Sequence, residues 1–312
     1  MKLIRDLDNL PPEVRGGAVS IGNFDGVHKG HARIVQRLLA RAREVGGPAV
    51  VFTFDPHPIR VLRPHHAPPP LTWTRRKAEL LAELGVDQII AYPTNEAFLR
   101  LDARQFFDRI VCHRLRARVL VEGSNFFFGR DRLGNVDRLR EFCAQAGLTL
   151  EVVEPVHIGG QVVSSSRVRA LVAAGRVDQA AALLTRPYRI RGTVIRGAGR
   201  GMRLGYPTAN MNHVETLLPA QGIYAARAVV GTGGWPAAVS LGPNPTFAED
   251  PGLTKVEVHI IDYSGDLYGR EIEVDFLARL RDIVRFDSPA QLVAQMELDV
   301  QAARRVVAQH GA

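Results

Sequence analysis

At 312 residues, with 46% hydrophobic and 23% charged, the chain has the composition of a globular protein large enough for two cores. No apolar run approaches the ~20 residues that a membrane-spanning helix needs, so no membrane association is expected. The formal net charge of +8 is nearly all arginine, with lysine only at Lys2, Lys29, Lys77 and Lys255. The arginines are dispersed among acids, which favours small anionic substrates over a nucleic-acid partner.

The opening Met1-Lys2-Leu3-Ile4-Arg5-Asp6-Leu7-Asp8 carries acids where a signal peptide would be apolar, so none is expected. Ala18-Val19-Ser20-Ile21-Gly22 reads as a buried strand ending in a loop. Ile34, Val35, Leu38, Leu39, Ala42 and Val45 then share one helical face. Ala49-Val50-Val51-Phe52-Thr53-Phe54 reads as a second buried strand, stopped by Asp55-Pro56-His57-Pro58. Helices are predicted near 75–84, 103–113 and 136–146, alternating with strands at 87–91, 117–122 and 148–154. Continuous apolar strands alternating with helices predict a doubly wound parallel sheet, with ligands beyond the carboxyl ends of the strands.

Two short helices are predicted near 166–184, and Thr185-Arg186-Pro187-Tyr188 reads as a boundary between domains 1–185 and 186–312. Short alternating strands follow at 189–196, 223–230, 237–241, 255–262 and 271–277, predicting a small antiparallel β-barrel. Ser288-Pro289 supplies an N-cap and first-turn proline for a terminal helix bearing Leu292, Met296 and Val300. Cys112 and Cys143 lack metal-ligand spacing and fit a reducing cytoplasm.

The segment from Gly22 to His31 places His28 and His31 three residues apart at a helix start, after a strand and a glycine turn. Free N–H groups and the positive end of the helix dipole favour phosphate there. The imidazoles can donate to charge that builds as a phosphoanhydride breaks. Gly22 and Gly30 allow backbone to approach phosphate, beside Asn23 and Phe24. The pair could instead bind a metal, although third and fourth ligands are not evident nearby.

This His-x-Gly-His element resembles that of the nucleotidyltransferase superfamily, which implies a second phosphate-binding segment. Ser164-Ser165-Ser166-Arg167-Val168-Arg169 matches it, with Arg169 the arginine that closes the element and Arg167 a second candidate for meeting pyrophosphate. Together with Phe54-Asp55-Pro56-His57-Pro58 and Gly123-Ser124-Asn125-Phe126-Phe127-Phe128-Gly129, these segments come in the order seen in bacterial bifunctional riboflavin kinase/FAD synthetases. The resemblance implies flavin or nucleotide contact at Asn125; His57 is either a loop element near flavin or a strand-ending turn.

The second half extends the likeness. Gly197-Ala198-Gly199-Arg200-Gly201 could wrap phosphates with backbone donors or could be a plain turn. Leu204-Gly205-Tyr206-Pro207-Thr208-Ala209-Asn210 resembles the riboflavin kinase signature, and Thr208 and Asn210 offer hard oxygens suited to Mg²⁺ shared with nucleotide phosphates. Gly222-Ile223-Tyr224-Ala225 and Leu241-Gly242-Pro243-Asn244-Pro245-Thr246-Phe247 also have family counterparts. Alternation puts Glu257 and His259 on one strand face. The resemblance makes Glu257 the base that takes a hydroxyl proton; by itself it reads as a surface carboxylate. Leu280-Arg281-Asp282-Ile283 resembles a flavin-loop segment with Arg281 kept, while Ile283 stands where members commonly carry Glu.

The family reading is a flavin enzyme acting on riboflavin, FMN and two molecules of ATP with Mg²⁺, and giving FAD. Its rivals are a kinase with a regulatory first domain, an RNA-linked relative of tRNA synthetases, and a flavin-storage protein. Oligomeric state is left open by the sequence.

Overall fold

Runs of β-branched and aromatic residues without polar alternation build a six-stranded parallel sheet buried on both faces. The computed structural model describes residues 3–243 and 254–311. Two compact units emerge: Met1–Pro68 with Trp73–Ser164, and Pro69–Thr72 with Ser165–Ala312.

The first unit contains, in chain order, β1 (Leu3–Ile4), β2 (Ala18–Ile21), α1 (Lys29–Glu44), β3 (Ala49–Phe54), α2 (Pro58–Leu62) and α3 (Thr74–Glu83). Next come β4 (Gln88–Tyr92), α4 (Glu96–Leu99), α5 (Ala103–Phe106), β5 (Val119–Gly123), α6 (Val136–Ala146) and β6 (Thr149–Val153). A small hairpin, β7 (His157–Ile158) and β8 (Gln161–Val162), ends it. The sheet order is β1-β4-β3-β2-β5-β6. Alternate residues feed two cores. Val19, Ile21, Val50, Phe52 and Leu120 face Phe98, Phe106, Phe107 and Phe128. Ala18, Val51, Ile89 and Val121 face Val35, Leu38 and Ala42 of α1 and Leu80 and Leu81 of α3. Each fully buried leucine contributes about 2 kcal/mol, against about 1 for a helix cap, so packing rather than capping holds α1.

The chain runs outward from β2 through β3 to β4, then crosses back to β5 on the other side of β2. That reversal makes the β2–β5 gap a topological switch point. The two strands pair only at Ala18–Val119 and Val19–Leu120, then part. Beyond that point the Ile21 N–H donates to the Glu122 carboxyl at 2.7 Å.

The helix expected over 103–113 is split. α5 gives way to a π-helical segment, Phe107–Arg114, whose wider turn keeps Phe107, Ile110 and Val111 in the core. β1, β7 and β8 are each two residues long, too short to show periodicity.

The second unit contains α7 (Ser165–Ala173), α8 (Val177–Leu183), β9 (Tyr188–Ile195), α9 (Arg200–Arg203), β10 (Ala209–Asn212) and β11 (Gly222–Val230). β12 (Gly233–Leu241), β13 (Val256–Ile260), β14 (Glu271–Arg281) and α10 (Pro289–Gln309) complete it. The expected barrel is a closed antiparallel one in the order β10-β13-β12-β11-β14-β9. β10 is the strand that the sequence reading missed: Ala209-Asn210-Met211-Asn212 alternates apolar and polar, but over only four residues, two of them asparagines that disfavour strands, and it pairs with β9 and β13. The second compact unit also takes in α7 and α8, since α8 packs on β14 and β9. α10 begins as expected, with Ser288 accepting from the Gln291 N–H at 3.3 Å.

Candidate active sites

In the first unit the turn after β2 is strained. Phe24 (φ 47°) and Val27 (φ 39°) both adopt positive φ, and a β-branched residue there is an outlier that the fold must enforce. Phe24, Asp25, Val27 and His28 are all buried. The turn delivers His28 to the N-cap of α1, where its Nδ1 accepts the His31 N–H at 3.3 Å. That bond leaves Nε2 to carry the proton of a neutral ring.

The His31 ring stacks on that of His28, with centroids 3.6 Å apart and planes within 14°. Burial lowers the His28 pKa to about 4, against the pull of Asp25. Burial also drives His31 well below its ordinary value, and His28 and Lys77 push in the same direction. Both rings are therefore neutral near pH 7 and donate through one N–H each. The His31 Nδ1 and Asn23 Oδ1 atoms are enclosed and have no hydrogen-bond partner.

Gly30 sits where a Cβ would meet the His28 ring at 3.0 Å and the Val163 carbonyl at 3.4 Å. The chain leading into Ser164 thus passes alongside the start of α1. Asn125 is exposed beyond β5; its Oδ1 lies 3.2 Å from where a Cβ on Gly123 would be. Ser165, Arg167 and Arg169 belong to α7 in the second unit, where the Arg169 Nε donates to the Pro69 carbonyl at 3.1 Å.

Two features of the first unit escaped the sequence reading. Lys77 is buried, with its Nζ 3.3 Å from the Thr53 hydroxyl. Glu122 is buried at the switch point, and burial raises its carboxyl pKa well above the usual range. Neither lies in a motif; each meets its partner only through the fold.

In the second unit a cavity of about 580 Å³ opens on the outer face of β10, β13 and β12 beside α10. Gly197, Gly199, Arg200, Thr208, Asn210, Glu257 and Arg281 all line it, so the predicted kinase residues gather around one space. Register places Glu257 across from Asn210 on one side and Ser240 on the other. Val256 and Val258 are buried while Glu257 and His259 are partly exposed, as alternation requires. The Asn210 amide packs on the glycine loop: a Cβ on Gly197 would fall 2.3 Å from its Nδ2. The Thr208 Oγ1 lies 3.2 Å from a Cβ built on Gly201.

Polar clamps hold the wall of this cavity. Arg281 Nε and Nη2 bind Asp299 on α10, the shortest contact being 2.6 Å, and the guanidinium lies 5.8 Å from the Phe286 ring centre. The Tyr206 hydroxyl donates to Glu297 of α10 at 2.7 Å. His259 Nδ1 meets the Pro207 carbonyl at 2.8 Å. Ile283 packs over Gly242, where a Cβ would fall 2.6 Å from its Cδ1. Asn244, Pro245, Thr246 and Phe247 lie outside the described residues.

Comparison with known proteins matches residues 10–167 to the FAD synthetase family and residues 184–307 to the riboflavin kinase family. A bifunctional riboflavin kinase/FMN adenylyltransferase of Pseudomonas fluorescens is 40% identical, over 99% of this chain and 98% of its own. The protein of the same description from Escherichia coli K12 is 35% identical, over 97% of each. A crystal structure from Streptococcus pneumoniae, described as a macrolide-efflux protein, superposes with a TM-score of 0.85 at 30% identity, covering 97% of this chain and 98% of that one. Among the described residues no helix is long and apolar enough to cross a membrane.

Proposed function

The chain belongs to the bifunctional riboflavin kinase/FMN adenylyltransferase family, and from that premise we propose how its own residues divide the two steps. The enzyme phosphorylates riboflavin to FMN and then adenylylates FMN to FAD, consuming one ATP in each step. The observation that carries the division of labour is the existence of two separate anion-directed sites. One is a stacked histidine pair at a helix N-terminus; the other is a cavity gathering a glycine loop, two hard oxygen donors and a carboxylate.

In the barrel unit, Glu257 takes the proton of the terminal ribityl hydroxyl as that oxygen attacks the γ-phosphorus of ATP, and ADP leaves. The glycine loop and Arg200 receive the phosphates. Arg281, fixed by Asp299, forms part of the flavin wall. Thr208 and Asn210 suit Mg²⁺: both are neutral oxygen donors beside the glycine loop, and Mg²⁺ takes few protein ligands when phosphates supply the rest. The ion would neutralise phosphate charge there.

In the first unit, a phosphate oxygen of FMN attacks the α-phosphorus of ATP, forming the pyrophosphate bridge of FAD and releasing pyrophosphate. The neutral His28 and His31 rings donate to the oxygens that gain charge. Gly22, Asn23, Phe24 and Gly30 shape the phosphate turn; the family likeness assigns Ser164, and Ser165, Arg167 and Arg169 of the second unit's α7, to the departing pyrophosphate. Asn125 contacts the flavin nucleotide. The substrates are small molecules, and the reactions are placed in the cytoplasm.

Chromatography of products from riboflavin, ATP and Mg²⁺ tests the reading. FMN followed by FAD is expected. FMN without FAD, even when FMN is supplied, would remove the transferase role from the first unit.

A further inference from the structure

Lysine is scarce in this chain, and nearly every other cation is arginine. Lys77 is nonetheless buried, on α3, behind the turn that carries the signature. Its Nζ lies 3.3 Å from the Thr53 Oγ1 at the end of β3. The Thr53 hydroxyl, itself buried, donates to the Asn23 carbonyl at 3.1 Å. A continuous polar chain therefore runs from an ammonium, through one hydroxyl, to the backbone of the phosphate turn. Asp25, which lies in that turn, and Asp55 both favour the charged lysine against the pull of burial. Taking an ammonium out of water is unfavourable, and an apolar side chain would fill this space at lower cost. Lysine rather than arginine fits because its charge is compact and reaches one acceptor without a planar fork.

We propose that Lys77 is a positioning residue for adenylyl transfer: through Thr53 it fixes the Asn23 carbonyl and so the strained turn that presents His28 and His31 to the reacting phosphates. This rests on the first unit being the transferase site. Phe24 and Val27 hold positive φ, so a turn released from its anchor has a lower-energy backbone to relax into. Lys77 acts on the geometry of the donors, so its loss slows the chemical step more than it weakens binding of ATP.

The test uses the full-length enzyme, with FMN and ATP as substrates for one assay and riboflavin and ATP for the other. Lys77→Met is expected to lower kcat for FAD formation by about tenfold to a hundredfold, the scale set by misplacing a donor by about 1 Å. KM for ATP should change little, and FMN formation in the barrel should stay at the wild-type rate. Thr53→Val, which keeps the shape and removes the relay, should lower the same kcat in the same direction. The double variant should be no worse than Lys77→Met, since both cut one chain. If either folded variant kept wild-type kcat for FAD formation, the proposal would be overturned. It would also be overturned if the double variant were slower than Lys77→Met by the factor that Thr53→Val loses on its own. Should Lys77→Met not fold, Thr53→Val alone decides. A wild-type enzyme unable to make FAD from FMN would instead overturn the reading of the first unit as the transferase.

Discussion

The turn from Gly22 to His28 in the first unit, with two glycines in seven residues, and the loop from Gly197 to Gly201 in the second, with three in five, differ in what holds them. Phe24, Asp25, Val27 and His28 are buried, two of them with positive φ that only the surrounding packing can sustain. Residues 196–199 are exposed, and the loop is tied down chiefly at its far end, where the Tyr206 N–H donates to the Gly201 carbonyl at 2.8 Å. The first site is preorganised by its core: donors are fixed, and the rings are kept neutral by burial. The second sets an exposed glycine loop beside the strand face bearing Glu257, around one cavity. Fixed donors suit a step in which charge on bound phosphates shifts. An open glycine loop suits a step in which backbone donors close around the phosphates of one substrate after it enters.

The sharpest way to break this contrast is to disable one unit and assay the other. Glu257→Gln keeps the strand and the volume but removes the proposed base. FMN formation should fall by about 10²–10⁴-fold, while FAD formation from supplied FMN stays unchanged. His28→Ala should do the converse, lowering FAD formation by about 10²–10³-fold through loss of one donor and sparing the kinase. Both are read from initial rates of the two separate half-reactions. An equal loss of both activities from either change would merge the two sites into one.

A smaller effect tests the claim that burial tunes the first site. The folded pKa of His28 is about 4, below its unfolded value near 6.5. Between those values the unfolded chain binds the proton and the folded one does not, so the stability contribution is present above pH 6.5 and lost as pH falls towards 4. The whole swing is at most about 3 kcal/mol. His28→Asn, which keeps a capping side chain, should flatten that part of the pH profile. The two tryptophans, Trp73 in the first unit and Trp235 in the second, let each unit be followed alone after Trp235→Phe or Trp73→Phe. The change should be confined to the Trp73 signal.

What the sequence revealed of each site follows the range over which its parts are joined. The histidine pair, Gly30 and the Gly205-to-Asn210 run were legible because their residues are neighbours in the chain and one local element places them. Alternation likewise located Glu257 on the correct face of β13. Lys77 was not legible, since nothing near it in sequence marks it and its partner Thr53 sits on another element. Glu122 reads as one more residue of a strand until the sheet order parts β5 from β2 and leaves the Ile21 N–H for it to accept. Asp299 carries no local signal in the terminal helix; the fold brings it to Arg281. β10 escaped notice because its alternation, Ala-Asn-Met-Asn, lasts only four residues and includes two asparagines; pairing with β9 and β13 supplies the rest.

The smallest expected effect concerns the clamp between the kinase signature and α10. Tyr206→Phe removes a 2.7 Å hydrogen bond to Glu297 while leaving the ring beside His259, 5.5 Å between centroids. Glu297 is exposed, so water replaces the lost partner and stability should fall by only about 0.5–1 kcal/mol. The ring packs against the small core formed by Ala225, Ile261, Val300 and Ala303, and that contact persists in phenylalanine. Chemistry at Glu257 should therefore keep its kcat, while KM for riboflavin or ATP rises by no more than about threefold, the fold-change matching the weaker hold on one cavity wall. A larger rise in KM would mean that the hydroxyl, rather than the ring, sets the position of α10. The second site would then depend on a polar tether as strictly as the first depends on its core.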